Sequence, residues 1–120
     1  MASIRSNKNK GANLQKWVCE QLARVGGFVF DNQDDESLIA SRRMGQNGTD
    51  VILRGKAKEV FPFSFECMSG ESFELVKKIE QAKKNQEKDR DWVVVHRRKK
   101  WGNPIVMMDW KTFESLLDKK

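Results

Sequence analysis

The sequence predicts a single small α/β domain in which a central mixed β-sheet is flanked by helices. Its 120 residues suffice for one hydrophobic core and not for two. Segments with apolar residues at helical spacing alternate with short β-branched and aromatic segments, in the order helix, hairpin, helix, strand, strand, helix. We assign residues 1–10 to a flexible basic arm and residues 11–120 to the folded domain.

The first predicted helix starts at Asn13, because the apolar residues after it recur at helical spacing. Gly26-Gly27 supplies a stop signal for this helix. Phe28 to Phe30 predicts a short strand, and the polar, turn-rich residues 31–36 and 41–48 predict loops. The apolar positions of this helix are Leu14, Trp17, Val18, Leu22 and Val25.

A β-hairpin is predicted in the middle of the chain. Thr49 to Leu53 and Phe61 to Met68 have strand composition, and Arg54-Gly55-Lys56 between them resembles a turn. The second strand alternates, which places aromatic residues and Cys67 on a core face and Glu66 with Met68 on the other face.

The last third of the chain predicts a helix, two strands and another helix. The helix opens near Ser69 or Ser72 and is amphipathic and basic, and Trp92 to His96 is a buried strand. A basic turn, Arg97 to Lys100, leads to a strand from Pro104 to Met108. Asp109 is the expected N-cap of the final helix. The residues expected to face inward from that helix are Phe113, Leu116 and Leu117.

Charge and cysteine content limit the classes of function. The formal charge of +6 favours a polyanionic partner, and nucleic acid is the leading candidate. Cys19 and Cys67 are far apart and His96 is the only histidine, so neither a disulfide framework nor a zinc site is predicted. We expect a cytoplasmic protein, because the chain lacks an apolar segment long enough for a signal or a membrane span.

Two carboxylates stand out against the strand pattern. Asp50 opens one strand of the predicted hairpin and Glu66 closes the other, so an antiparallel pairing centred near Lys58 would set them side by side. Glu66 follows a run of core residues, where a glutamate goes against local β preference. Two hard oxygen ligands of this kind suit Mg²⁺, which could promote phosphodiester hydrolysis. The alternative is a pair of ordinary solvated acids at strand ends.

The residues around these carboxylates resemble the PD-(D/E)XK nucleases, in particular small phage-encoded enzymes similar to Holliday junction resolvases. Gly48-Thr49-Asp50-Val51 and the strand through Glu66-Cys67-Met68 correspond to the GxD and (E)xK parts of that signature. Further resemblance lies in Lys10-Gly11 before the first helix, in the segment from Ser41 to Gln46, and in Glu80-Gln81-Ala82. The resemblance covers nearly the whole chain and implies a restriction-endonuclease-like core.

The resemblance implies a metal-dependent endonuclease that resolves four-way DNA junctions in phage-type recombination, in an infected or bacterial cytoplasm. Its metal would be Mg²⁺, with Mn²⁺ as a substitute, held by Asp50, Glu66 and the backbone carbonyl of Cys67. Gln81 would lie near the active site. Paired cuts on opposite strands imply a homodimer. The residues that would meet DNA include Gln15, Arg42, Arg43 and Gln46.

Two positions depart from the family pattern. Gln15 stands where archaeal-type resolvases have a glutamate, and Glu20 or Glu36 could compensate for it. Met68 stands where the family has lysine, and a thioether can neither orient the attacking water nor stabilise the phosphorane charge. The explanations are a deliberate inactivating substitution, a natural loss of catalysis, or transfer of the basic role to another residue. We favour the first, and so expect binding of DNA and Mg²⁺ with poor cleavage.

Basic residues outside the motifs predict a track for the DNA backbone. Lys8, Lys10, Arg97 and Arg98 are the expected contacts, together with lysines of the second helix, although each alone could be a solvated side chain. Trp101, within the basic turn, could contact unstacked bases. The alternative function is a non-catalytic DNA-binding module of the same fold. A basic structural protein without a metal site leaves Asp50 and Glu66 unexplained.

Overall fold

A computed structural model describes residues 4–31, 37–43, 46–70 and 74–118, with side chains from Lys10 onward. Within these ranges the chain forms four helices and five strands. Their order is α1 (Ile4–Gly26), β1 (Ile39–Ser41), β2 (Val51–Leu53), α2 (Gly55–Val60), β3 (Phe63–Ser69), α3 (Leu75–Asn85), β4 (Asp91–Arg97), β5 (Ile105–Met107) and α4 (Trp110–Asp118).

The strands form two small sheets rather than the one central sheet that the sequence predicts. In the larger sheet β3 runs parallel to β4, with Glu66 opposite Val94, and β4 runs antiparallel to β5. In the smaller sheet β1 and β2 are antiparallel. The protein is therefore a single α/β domain with helices and mixed small sheets.

The helix α1 is confirmed and is longer than predicted. It begins at Ile4 rather than Asn13, so residues 4–10, predicted as an arm, continue the helix. Extending an existing helix costs little compared with nucleating one. The predicted stop is confirmed: Gly27 has φ +74°, and the N–H of Phe28 donates to the Ala23 carbonyl at 2.8 Å, which is the pattern of a Schellman cap.

The strand predicted at Phe28 to Phe30 is absent. Phe28 instead packs edge-on against Phe61 with the ring centres 6.3 Å apart, and Phe30 also contacts the core. These aromatic side chains are half-buried because the chain folds back after the helix, not because of strand pairing. The strand β1 was missed, because its three residues lie next to turn-rich segments that favour a loop.

The predicted hairpin is wrong. The segment after Arg54 forms α2, whose Ala57 is fully buried, and β3 pairs with β4 instead of β2. Good helix formers and one inward alanine favour a helical turn here. The buried guanidinium of Arg90 holds this connection, since it donates to the carbonyl oxygens of Lys58, Phe61 and Phe63.

Strand β3 lies between two apolar clusters. Its Phe65 and Cys67 pack with β4 and with the buried face of α1, which includes Leu14 and Val18. The opposite face meets α3, where Met68 packs beside the fully buried Ala82. Alternation along β3 is therefore confirmed, but both faces are covered, as parallel strands require.

The helix α4 does not pack as predicted. Asp109 is its N-cap as expected, with Oδ1 accepting the N–H of Thr112 at 3.0 Å. Only Thr112 of this helix is buried. The apolar residues predicted to face inward are exposed, because no described element covers that face; they are Phe113, Leu116 and Leu117, and Trp110 is exposed with them.

Candidate active site

Asp50 lies against the free edge of β3. Its N–H donates to the Phe65 carbonyl at 3.1 Å, and its Oδ2 accepts the N–H of Cys67 at 2.7 Å. These two hydrogen bonds satisfy backbone groups of β3 that none of the described strands reaches. The predicted proximity of Asp50 and Glu66 therefore exists, but through a bridge to the edge of β3 instead of a hairpin.

The loop before Asp50 requires glycine and a buried hydroxyl. Gly48 has φ +116°, and a Cβ there would lie 2.8 Å from the guanidinium carbon of Arg42. Thr49 is buried, and its hydroxyl donates to the Val51 carbonyl at 2.9 Å. The Gly48-Thr49-Asp50 sequence thus has a structural reason at every position.

Glu66 is fully buried at the centre of β3, on the face that meets α3. Its Oε1 accepts a hydrogen bond from Asn85 Nδ2 at 3.0 Å, whereas Oε2 has no hydrogen-bond donor among the described residues. Burial and the charge of Asp50 raise the pKa of Glu66 from 4.5 to about 7, against the lowering effects of Asn85 and Lys78. A fully buried carboxylate with an unbonded oxygen fits a cation ligand.

Lys78 brings an ammonium to both carboxylates. Its Nζ lies 3.7 Å from Asp50 Oδ2 and 3.7 Å from Glu66 Oε2, and its side chain is only 17% exposed. Lysines of this helix were predicted only as contacts of the DNA backbone, so this role of Lys78 was not predicted. A signal was present, because Lys78, Ala82 and Asn85 recur at the i, i+4, i+7 spacing of one helical face.

Asn85 is a second functional candidate that the sequence pattern did not predict. Besides Glu66, its amide nitrogen donates to the Gly48 carbonyl at 3.2 Å. One side chain at the end of α3 thus orients Glu66 and ties it to the loop that carries Asp50. We refer to Asp50, Glu66, Lys78 and Asn85 as the carboxylate centre.

Met68 lies on the same face of β3 as Glu66, as predicted. It is half-buried and packs with the apolar cluster between β4 and α3. A small cavity of about 170 Å³ is lined by Met68, Lys78 and Gln81, among others. The thioether therefore takes up apolar space at the motif position, while the Lys78 ammonium approaches the two carboxylates from α3.

Gln81 lies beside the carboxylate centre and contacts Lys78. Its Oε1 accepts a hydrogen bond from Lys78 Nζ at 3.4 Å, and its side chain is exposed. It can therefore orient the ammonium of Lys78 directly.

The donor set fits a hard divalent cation. In a strand, the N–H and C=O of one residue point to the same side, so the Cys67 carbonyl faces the side on which Asp50 lies. Burial raises the pKa of the Cys67 thiol well above its ordinary value, which argues against a thiolate ligand. Across the described ranges, no cluster of three or more His, Cys, Asp or Glu side chains forms. Two carboxylates, a carbonyl and water match the preference of Mg²⁺.

Among the described residues, no third carboxylate stands in for the glutamate that archaeal-type resolvases have at the position of Gln15. Gln15 is buried on α1, and its Oε1 accepts a hydrogen bond from the Ser41 hydroxyl at 2.8 Å. Glu20 is exposed, away from the buried face of α1. Glu36, the other proposed substitute, lies outside the described residues.

The predicted DNA contacts divide into two groups. In the first group, Arg42 Nε donates to the Thr49 carbonyl at 2.5 Å, so part of its guanidinium supports the loop before Asp50. The side chains of Arg43 and Gln46, from the same segment, are exposed. A second group surrounds a separate cavity of about 450 Å³, which we name the basic pocket. The side chain of Lys8 is not described. The basic pocket is lined by Lys10, Asn13, Ser69, Gly70, Arg97, Arg98, Lys99 and Trp101.

Comparison with known proteins gives no family for this chain. No protein-family model, no curated protein and no solved structure matches it. In the described part of the chain, no helix has both the length and the apolar character needed to cross a membrane. The motif residues and the geometry of the carboxylate centre are therefore the features that bear on function.

Proposed function

We propose that this protein is a Mg²⁺-dependent DNA endonuclease of the PD-(D/E)XK class that resolves four-way junctions, and that Lys78 supplies the ammonium missing from position 68. One observation carries the proposal. Asp50, Glu66 and Lys78, from three separate segments, converge within 3.7 Å at the edge of β3. Buried like-charged carboxylates with one poised ammonium are costly for stability alone, so their convergence favours a catalytic role.

Each residue has a definable task at the scissile phosphate. Asp50 and Glu66, with the Cys67 carbonyl, would hold the metal ion, which when bound supplies Lewis-acid activation of the phosphate and of the attacking water. Asn85 keeps Glu66 in place through its hydrogen bond to Oε1. Lys78 can donate to a phosphate oxygen and so stabilise the negative charge that develops during attack.

The position of Lys78 changes which explanation of Met68 is favoured. The expectation of poor cleavage assumed that no ammonium reaches the carboxylates. Lys78 reaches both of them from α3, which supports transfer of the basic role to another residue. We therefore propose that the chain cleaves DNA with methionine at position 68.

A competing role for Lys78 is that of an internal counterion that neutralises the carboxylates without metal. The two roles predict opposite effects of its removal. A counterion competes with Mg²⁺, so Lys78→Met would tighten metal binding and preserve or increase cleavage. A catalytic ammonium leaves metal affinity nearly unchanged, and its loss lowers the cleavage rate by about a hundredfold.

The experiment compares the wild-type chain, Lys78→Met and Met68→Lys on a labelled four-way junction and on linear duplex, with Mg²⁺ or Mn²⁺. Lys77→Met is the matched control, since Lys77 is the helix neighbour and its side chain is 79% exposed. Symmetric cuts by the wild type and the control, lost in Lys78→Met, support the proposal. If no variant cuts any substrate while all bind DNA, the non-catalytic binding module becomes the better description.

A homodimer is part of the proposal, because paired cuts on opposite strands need two active sites related by a two-fold axis. The exposed face of α4 supports a second copy as its partner. Trp110, Phe113 and Leu117 follow one helical face, and such large exposed apolar surfaces mark interaction sites. We expect a dimer by light scattering at micromolar concentration and a monomer for Leu117→Glu. A monomeric wild type would contradict this part.

A further inference from the structure

The basic pocket lies where two parallel strands end. Ser69 is the last residue of β3 and Arg97 is the last residue of β4, and both line the pocket. The N-terminal part of α1 closes it with Lys10. In open α/β sheets, ligands bind in crevices beyond the carboxyl ends of parallel strands. The pocket therefore occupies a position that suits a ligand.

The lining of the pocket favours an anion. Four cationic side chains contribute to it: Lys10 from α1, Arg97 from β4, and Arg98 and Lys99 from the turn that follows. None of its described lining residues is acidic. Arg and Lys in such a cluster bind phosphate oxygens through charge-assisted hydrogen bonds. A ligand that carries at least one phosphate group matches the positive charge of this lining.

Trp101 adds an aromatic surface to the same pocket. Its ring stands edge-on to His96, with the ring centres 4.9 Å apart and an angle of 72° between the planes. The guanidinium carbon of Arg98 lies 5.7 Å from the centre of the indole ring. These contacts hold the ring in a defined orientation, and the half-buried indole lines the cavity. Held aromatic rings of this kind stack on nucleic-acid bases.

The volume of the pocket limits the size of the ligand that it can hold. A volume of about 450 Å³ falls within the range of about 300–1,000 Å³ that is typical of small-molecule sites. One nucleotide fits such a space, whereas a duplex with both of its backbones does not. A base that is stacked and paired cannot offer its face to Trp101, so the base must be unpaired.

From these observations we infer that the basic pocket binds one unpaired nucleotide of a DNA strand, with its phosphate on the cations and its base against Trp101. The inference rests on the proposed function only in taking DNA as the substrate. Ser69 is three residues beyond Glu66 on β3, which corresponds to roughly 10 Å along a strand. A nucleotide held in the pocket would lie about this far along β3 from the carboxylate centre, and the need for an unpaired base would favour branched DNA over plain duplex.

The test measures binding of fluorescein-labelled hexathymidylate by anisotropy in EDTA, where cleavage cannot occur. A hexamer of abasic sites, which has the phosphates but no bases, is the matched probe. Trp101→Leu removes the aromatic surface, Trp101→Phe keeps one, and Lys99→Gln removes one charge. Lys111→Gln on the exposed side of α4 is the control for general loss of positive charge.

We expect the wild type to bind hexathymidylate about tenfold more tightly than the abasic hexamer, and Trp101→Leu to lose that difference. Trp101→Phe should retain most of it. Lys99→Gln should weaken binding of both probes alike, and Lys111→Gln should change neither. Equal affinity of the wild type for the two probes would overturn the inference, and so would unchanged binding in Trp101→Leu.

The same proteins on a four-way junction with Mg²⁺ separate this inference from the proposed function. If the junction is cleaved but hexathymidylate binds no more tightly than the abasic probe, the endonuclease proposal is supported and the nucleotide-binding pocket is contradicted. If hexathymidylate binds more tightly than the abasic probe but no DNA is cleaved, the nucleotide-binding pocket is supported and the endonuclease proposal is contradicted.

Discussion

The carboxylate centre and the basic pocket share strand β3 but are built in opposite ways. In the centre, the side chains of Glu66 and Lys78 are almost excluded from solvent, and negative and positive groups face each other at 3.7 Å. The charged side chains that line the pocket are all cationic, and its aromatic residue, Trp101, is half-buried. A buried set of opposite charges suits a metal and a reaction, whereas a cationic surface suits binding. Changes in the centre should therefore affect cleavage, and changes in the pocket should affect DNA affinity.

The largest effect is expected for Asp50→Asn, which replaces one of the proposed metal ligands and keeps the shape of the side chain. Cleavage of the junction should fall on the order of a thousandfold, because an amide holds the metal more weakly than a carboxylate. Affinity for DNA in EDTA should remain. Isothermal titration with Mn²⁺ and a gel-based cleavage assay measure the two properties. Normal cleavage by this variant would remove Asp50 from the active site.

Lys78→Met should lower the cleavage rate by about a hundredfold while DNA affinity and Mn²⁺ affinity stay within a factor of a few. The double variant Met68→Lys, Lys78→Met sharpens the comparison, since it moves the ammonium back to β3. Recovery of cleavage in the double variant shows that the two positions are interchangeable. An inactive double variant that still binds metal would mean that the helix position itself is required.

Stability of the metal-free protein should depend on the protonation of Glu66. Its pKa is raised to about 7 in the folded protein, so between pH 4.5 and 7 the folded state holds a proton that the unfolded chain has lost. The free energy of unfolding therefore falls as pH rises through this window, by about 3 kcal/mol.

Thermal or urea melts in EDTA from pH 5 to pH 8 measure this fall. Glu66→Gln should flatten the profile and be the more stable protein at pH 8, because an amide carries no charge. Glu59→Gln, at a side chain that is 73% exposed, is the control and should leave the slope unchanged. An identical slope in Glu66→Gln and the wild type would assign the pH dependence to other groups.

The smallest effect is expected in the basic pocket. Replacing Arg97 by Gln should weaken binding of all DNA substrates a few-fold. The slope of log affinity against log salt concentration should become shallower by about one, which corresponds to one lost phosphate contact. The cleavage rate at saturating DNA should not change. Affinities measured at several salt concentrations give the slope. A lower rate at saturation with unchanged affinity would place Arg97 in the chemistry and remove the contrast between the two sites.

The sequence by itself determined the local elements and the identity of the key carboxylates. Helical spacing of apolar residues predicted α1, α3 and α4, and the caps at Gly27 and Asp109 are where local signals place them. The proximity of Asp50 to Glu66 was also predicted, since a motif and a violated strand pattern point to both residues. These features depend on neighbours in the chain, which a sequence displays directly.

Tertiary structure alone decided the pairing of strands and the partners of the carboxylates. In place of the predicted hairpin turn the chain forms α2. Strand β3 pairs with β4, almost thirty residues later in the chain, because both of its faces are then buried. Which face of α4 is covered likewise depends on elements far away in the chain. The spacing of Lys78, Ala82 and Asn85 puts them on one face of α3, but only the packing of α3 on β3 brings Lys78 and Asn85 to Glu66. Contacts between distant segments depend on how the whole chain packs, so local patterns do not specify them.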